Sequence, residues 1–219
     1  MSGQRLAAVL PPDITHAWIA LSDLVPPEAY LGGGTAIALH LAHRTSHDLD
    51  FFLEAPVDLE RLADTLARHG PLSVQTFDAT PGRQTLNGVF ATTKLQFLEA
   101  SSLTVIEPMA VVEGIRVAGL GDLLAMKLKV IRERGELRDY FDVLVIERDA
   151  HRRVEEGIAL ALAKYRPRGQ DEFVSSIIRA LAYLDDVPDD PGLPLGRTEI
   201  AAYWARRLPE VLQHLSRLS

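Results

Sequence analysis

Reactive side chains in this sequence concentrate between Gly33 and Phe51. There Gly33-Gly34-Thr35 leads through a short apolar stretch into Arg44-Thr-Ser46-His-Asp48-Leu-Asp50-Phe51. Glycines at a strand-to-helix turn let a ligand approach the backbone closely. The helix behind them presents unpaired N–H groups and the positive end of its dipole, which suits a phosphate. On a strand alternate side chains share a face, so Asp48 and Asp50 point the same way, with Cα atoms about 6.5–7 Å apart, while Leu49 enters the core. At that separation two carboxylates repel by roughly 2–3 kcal/mol at an effective dielectric near 20. A divalent cation relieves the repulsion, and hard oxygen ligands select Mg²⁺ or Mn²⁺. Such ions clamp the attacking and leaving oxygens of an in-line phosphoryl displacement. The chemistry implied is transfer from a nucleoside triphosphate.

Positioning these residues requires a strand on each side of a short helix, and the pattern supplies them. Asp13–Leu24 has helical spacing and ends before Pro26-Pro27; Ala29–Leu31 reads as a short strand, and Ile37, Leu39 and Leu41 mark the helix after the glycines. Asp48–Leu53 alternates and then runs apolar, as a mostly buried strand does. Asp58–His69 reads as a helix ended by Gly70-Pro71, and Leu72–Phe77, Gln84–Phe90 and Lys94–Leu98 read as strands, with short apolar pieces at Val105 and Val111–Val117. Beyond Gly119 the periodicity is helical throughout. Asp122 is expected to cap a long helix to about Arg134, with Gly135 closing it. Helices follow over Arg138–Arg148, Arg152–Tyr165 and Asp171–Leu184. A Pro- and Asp-rich loop then precedes a last helix over Thr198–Leu218, with a kink expected at Pro209. The expectation is an α+β fold: a mixed sheet flanked by helices over residues 1–118, followed by a helical module over residues 119–219.

The joint spacing of glycine turn and paired aspartates resembles the nucleotidyltransferase signature of the polymerase β superfamily. More narrowly, Leu31-Gly-Gly-Gly-Thr-Ala, His43-Arg-Thr-Ser-His-Asp-Leu-Asp-Phe-Phe, Ala125-Met-Lys-Leu-Lys and Arg138-Asp-Tyr-Phe-Asp resemble the AbiEii/AbiGii family, nucleotidyltransferase toxins of bacterial type IV toxin–antitoxin and phage-abortive systems. The resemblance implies that Gly33 and Gly34 face the triphosphate with Thr35 opening the helix behind them, and that Asp48 and Asp50 bind Mg²⁺ or Mn²⁺. It places Arg44 and Ser46 at polar positions that could meet phosphate oxygens. Lys127 matches the lysine of the helical module, and Asp139 and Asp142 match a Lys-Asp-x-x-Asp element in which Arg138 replaces Lys. A plainer reading leaves Arg44 in a surface ion pair and Arg138 paired with Asp142 one helical turn away. The implied partners are a nucleoside triphosphate, an RNA acceptor such as the tRNA 3′ end, and a cognate antitoxin.

One departure bears on activity. Where such enzymes carry a third carboxylate on a neighbouring strand, the matching stretch Lys94-Leu-Gln96-Phe-Leu presents an amide. An amide can accept a hydrogen bond but cannot act as a base. Glu99 could substitute if the strand bends, and Asp142 could supply a base from the helical module. Two alternatives to the RNA-modifying toxin therefore stand: a catalytically weakened nucleotide- or partner-binding module, and a small-molecule nucleotidyltransferase.

The rest is exclusion. The chain has 219 residues, 47% hydrophobic and 24% charged, which is ordinary globular composition. No apolar run approaches the roughly 20 residues that a membrane-spanning helix needs. Met1–Pro12 is too short and too weakly basic for a signal peptide. Zero Cys removes disulfides and thiolate zinc sites and fits a cytoplasmic location. No Walker A loop or dinucleotide fingerprint is present. His40, His43 and His47 do not converge on one tetrahedral zinc site, because His47 falls past the helix end. A net charge of −7 means that nucleic-acid contact would depend on a local stripe, for which Lys127, Lys129, Arg132, Arg134, Arg138, Arg152 and Arg153 are the candidates.

Overall fold

The structure, a computed structural model, describes Leu6 and residues 9–217. Among these are eight helices and seven strands in the order α1 (Pro12–Leu21), β1 (Ala29–Leu31), α2 (Gly33–Leu41), β2 (Asp48–Leu53), α3 (Leu59–His69), β3 (Leu72–Asp78), β4 (Thr85–Phe90), β5 (Thr93–Glu99), β6 (Ala110–Val112), β7 (Ile115–Val117), α4 (Leu120–Arg134), α5 (Leu137–Ala150), α6 (Val154–Tyr165), α7 (Gln170–Ala182) and α8 (Arg197–Leu215). The chain forms two compact units: residues up to Leu103 with Pro108–Gly119, and Thr104–Glu107 with everything from Leu120.

The first unit is built on one mixed sheet of order β3-β4-β5-β2-β1-β7-β6. β2 lies near its middle, parallel to β5 and antiparallel to β1. Its alternation is complete: Leu49, Phe51 and Leu53 are fully buried, and Phe51 stacks on Phe97 of β5 at 4.9 Å. Each such side chain contributes about 1.5–3 kcal/mol by leaving water. A one-residue slip of β2 would expose all three, so the same burial that stabilises the sheet fixes Asp48 and Asp50 on its other face. α3 is capped by Asp58, whose carboxylate accepts the Arg61 N–H, and buries Leu59, Leu62 and Leu66.

The second unit is helical. α4 is packed by α5, α6 and α7, which is why Gly121 to Leu128 are buried on every side of the helix. Gly157 of α6 admits Leu124 and Leu128 of α4; a Cβ there would lie 2.6 and 2.8 Å from them. Two sequence expectations are corrected. Asp122 does not cap α4: it lies inside the first turn, buried, ion-paired to Lys164 at 2.6 Å and accepting the N–H groups of Ile106 and Glu107. The apolar piece at Val105 belongs to the 104–107 segment that this carboxylate and Lys164 bind. The last helix contains Pro209 and ends at Leu215, three residues before the expected Leu218. Among the described residues no helix is long and apolar enough to cross a membrane.

Candidate functional site

In the sheet unit the glycine turn and the paired aspartates are one structure. Gly32 precedes α2 and donates its N–H to the Asp50 carbonyl at 2.8 Å, tying the turn to β2. Gly33 has φ +64°, a conformation that side-chain-bearing residues rarely adopt. The space is as restrictive as the backbone: a Cβ on Gly33 would overlap Asp50 Oδ2 and lie 3.2 Å from its Cγ. Bare backbone therefore faces one metal-binding candidate. Gly34 relates to Arg44 in the same way, for a Cβ there would overlap the guanidinium and sit 3.3 Å from Ser46 Oγ.

Thr35 and Ser46 are spent on holding this geometry. Both are buried; Thr35 Oγ1 donates to the Asp48 carbonyl at 2.5 Å, and its contact with Ser46 Oγ at 2.8 Å takes its proton from the serine. They fix the entry to β2 from behind. The Arg44 guanidinium donates to the Thr45 carbonyl at 3.2 Å and lies over Gly34. α2 ends at Ala42 in the left-handed conformation, and His40 Nε2 contacts the Ala118 carbonyl at 2.9 Å, so this histidine serves the fold.

The register places Gln96 directly beside Asp50, and Asn87 directly beside Gln96 on the next strand. Gln96 thus stands where a third carboxylate was expected. Glu99 does not replace it: it ends β5 opposite Leu53, and its carboxylate accepts from Gly82, Gln84 and Ser101 at 2.7, 3.1 and 2.6 Å. The Ser101 hydrogen bond holds that carboxyl below its usual range. Asn87 was missed in the sequence because only the β4–β5 register brings it to this row. Among the described residues no group of three or more His, Cys, Asp or Glu could hold a metal. Two carboxylates on one face, beside the glycine turn, match the chemistry of Mg²⁺, which binds through one or two carboxylates and otherwise keeps water and substrate phosphate.

In the helical unit Lys127 Nζ sits between Asp139 Oδ1 at 2.6 Å and Asp142 Oδ2 at 2.8 Å. Burial works to lower the lysine's pKa, but Asp142 and Asp139 outweigh it, so the ammonium titrates above its ordinary range. Asp139 also caps α5, its Oδ2 accepting the Glu136 N–H at 3.0 Å. Arg138 pairs with Glu136 at 2.6 Å, and Lys127 takes the place on Asp142 that a helical-turn pair would have filled. The suspected basic stripe is mostly neutralised: Lys129 pairs with Glu133, Arg152 with Glu107 and Glu156, and Arg153 with Glu155. Sequence reasoning also missed Arg207, which binds Glu147 and Glu155 in the same unit.

Comparison with known proteins gives the family and the fold. The family described as "Nucleotidyl transferase AbiEii toxin, Type IV TA system" matches residues 20–217. An uncharacterised protein of Aquifex aeolicus is 28% identical over 193 residues, spanning 84% of this chain and 88% of its own. Two solved structures from Helicobacter pylori share the fold, each with a TM-score of 0.56. One, provisionally assigned as a nucleotidyltransferase, is 20% identical and covers 100% of this chain and 99% of its own. The other, JHP933, is 17% identical and covers 100% and 96%.

Proposed function

This chain belongs to the AbiEii nucleotidyl transferase toxin family, and from that premise we propose that it moves a nucleotidyl group from a nucleoside triphosphate to an RNA acceptor, such as the tRNA 3′ end, with an antitoxin as its partner. The observation that carries the proposal is Asp50 lying against the Cα of Gly33. It sets a carboxylate that could hold metal against side-chain-free backbone, with the Arg44 guanidinium over the next glycine.

In this reading Gly33 and Gly34 receive the triphosphate, and Arg44, already over Gly34, meets its oxygens as a planar donor pair. Thr35 and Ser46 keep the turn and β2 in place. Asp48 and Asp50 hold Mg²⁺ or Mn²⁺, which supplies charge neutralisation at the phosphates. The acceptor hydroxyl oxygen bonds to the α-phosphorus, the bond from that phosphorus to the bridging oxygen breaks, and pyrophosphate leaves. The hydroxyl proton passes to the Asp50 carboxylate, since Gln96 beside it can take a hydrogen bond but no proton. Within the helical unit Asp139 and Asp142 hold and orient the Lys127 ammonium.

Incubation with Mg²⁺, each labelled nucleoside triphosphate and total tRNA tests the proposal: label should reach RNA with the native protein and fail to do so with Asp48→Ala. Gln96 in register with Asp50 favours a second reading, a nucleotide-binding module with little transfer. Magnesium-dependent nucleotide binding without transfer in the native protein would establish that reading instead. Neutral growth on overexpression without antitoxin would count against the toxin role.

A further inference from the structure

The helical unit carries a cleft of about 700 Å³ where the end of α4, the start of α5 and the end of α7 meet. Its lining includes Arg132, Arg134, Arg179, Tyr140, Tyr183 and Asp186, a composition that no step of the transfer chemistry uses. The volume is that of a site for a small organic ligand rather than for an ion.

The guanidiniums are presented in three ways. Arg132 is fixed: it lies 4.6 Å over the Phe173 ring, and its Nε donates to Ser176 Oγ at 2.8 Å. Of its remaining groups one reaches Glu133 at a loose 3.5 Å. Arg134 is exposed and, among the described residues, held only by Glu136 at 3.4 Å. Arg179 is exposed, and its side chain meets no partner among the described residues. Glu133 does not offset them, because Lys129 already engages it at 2.8 Å. An anion entering here meets preorganised and exposed donors together.

The tyrosines make the anion a nucleotide. Tyr183 is 57% exposed where α7 gives way to extended chain, so a large ring stands open at the cleft's rim. Tyr140 is 3% exposed and lines the cleft, and its hydroxyl makes no hydrogen bond among the described residues, which leaves it a donor to offer. Burial first, then Asp186 and Asp139, push its pKa up to about 12, so the donor keeps its proton. Asp186, close enough to act on it, is an acceptor. A donor and an acceptor side by side suit a ribose 2′-hydroxyl, which is both.

We propose that this cleft binds an unstacked nucleotide of single-stranded RNA, with Arg132, Arg134 and Arg179 on the phosphates, a base stacked on Tyr183, and Tyr140 and Asp186 on the ribose or base edge. The strand would be the acceptor if the transfer reading holds, but binding itself does not depend on that reading.

The test uses the full chain, a fluorescent 12-nucleotide single-stranded RNA, chelator and no nucleoside triphosphate, read by anisotropy. Tyr183→Ala should weaken binding by about tenfold, as the loss of one stacked base does. Arg179→Ser should lower the slope of log affinity against log salt by about 0.7, one phosphate contact on a single strand. Both side chains are exposed, so melting temperatures should stay within about a degree. The matching DNA should bind more weakly. Unchanged affinity and slope in both variants, no binding of the RNA by the native protein, or preference for an acidic phosphopeptide over the RNA would each overturn the proposal. Loss of magnesium- and nucleotide-dependent stabilisation in Asp50→Asn is scored separately; its failure with Tyr183-dependent RNA binding intact sinks only the transfer reading.

Discussion

Gly33→Ala separates the two demands the glycine turn places on the chain. The first is conformational: φ +64° costs an alanine about 1–2 kcal/mol in the left-handed region. At about 2–4 °C per kcal/mol for a chain of this size, melting should fall by roughly 2–8 °C. The second is spatial. The new Cβ would overlap Asp50 Oδ2, whereas carbon contacts settle near 3.5 Å, so the carboxylate must retreat by about 1 Å. Displacement of that size at a reacting centre is worth about 10²-fold in rate. Gly82→Ala is the matched control: φ is +89°, and nothing lies within 4 Å of a Cβ there. Both variants should lose comparable stability. Only Gly33→Ala should also lose the stabilisation by Mg²⁺ and nucleoside triphosphate, which at a hundredfold excess over Kd is about 2.7 kcal/mol, or roughly 5–11 °C. The readouts are scanning fluorimetry with and without ligand, and the labelled-nucleotide transfer assay. A Gly33→Ala protein that keeps native ligand stabilisation and native transfer would refute the contact with Asp50 as the basis of the site.

Lys127→Met should cost about 3–5 kcal/mol, because it leaves Asp139 and Asp142 buried without their cation, and scanning fluorimetry should show a fall of about 6–20 °C. Arg207→Met should cost a similar amount at pH 7, with a distinctive pH dependence. Burial works to raise the Glu155 carboxyl, but hydrogen bonds from Arg207 outweigh it and hold the pKa below the usual range. A depressed folded pKa stabilises above the unfolded value, near 4.5, and that contribution is lost as pH falls through the folded value. The gap between native and Arg207→Met melting should therefore narrow below about pH 4, and a constant gap would contradict the assignment. Gln96→Glu restores a carboxylate beside Asp50 in register, and should raise transfer and lower the Mg²⁺ concentration for half-maximal rate. No change in either would show that Gln96 is not part of the metal's surroundings.

What could be read from the sequence was whatever leaves a local pattern. β2 announces itself through Leu49, Phe51 and Leu53, and two-residue alternation then fixes where Asp48 and Asp50 point. The glycine turn is equally local, since a strand, a positive φ and a helix follow within a few residues. Buried charge leaves no such trace. Asp122 has the type and place of a cap, yet its partner is Lys164, 42 residues on, and its other ligands are backbone N–H groups 15 and 16 residues back. Arg207 reads as one more basic residue on a surface helix until the fold brings it to Glu147 and Glu155. Asn87 enters the row of Asp50 and Gln96 only through strand pairing.

That division follows the two units. The sheet unit is specified by apolar alternation, and its described core is hydrophobic apart from a few polar side chains such as Thr35 and Ser46. The helical unit adds buried ion clusters on Lys127 and Lys164 and a half-buried one on Arg207. Burying such charges gains little net stability against well-packed apolar residues, but mispairing any of them leaves an unpaired charge in a low-dielectric interior. Helices packed by apolar faces can slide or rotate by a turn at small cost. Helices that must also bring Asp139 and Asp142 to Lys127, and Glu147 and Glu155 to Arg207, have one register. The cost of those clusters is justified where a fixed register matters, and here the Lys127 cluster ties α4 to α5, two of the helices that frame the Arg132, Tyr140 and Tyr183 cleft.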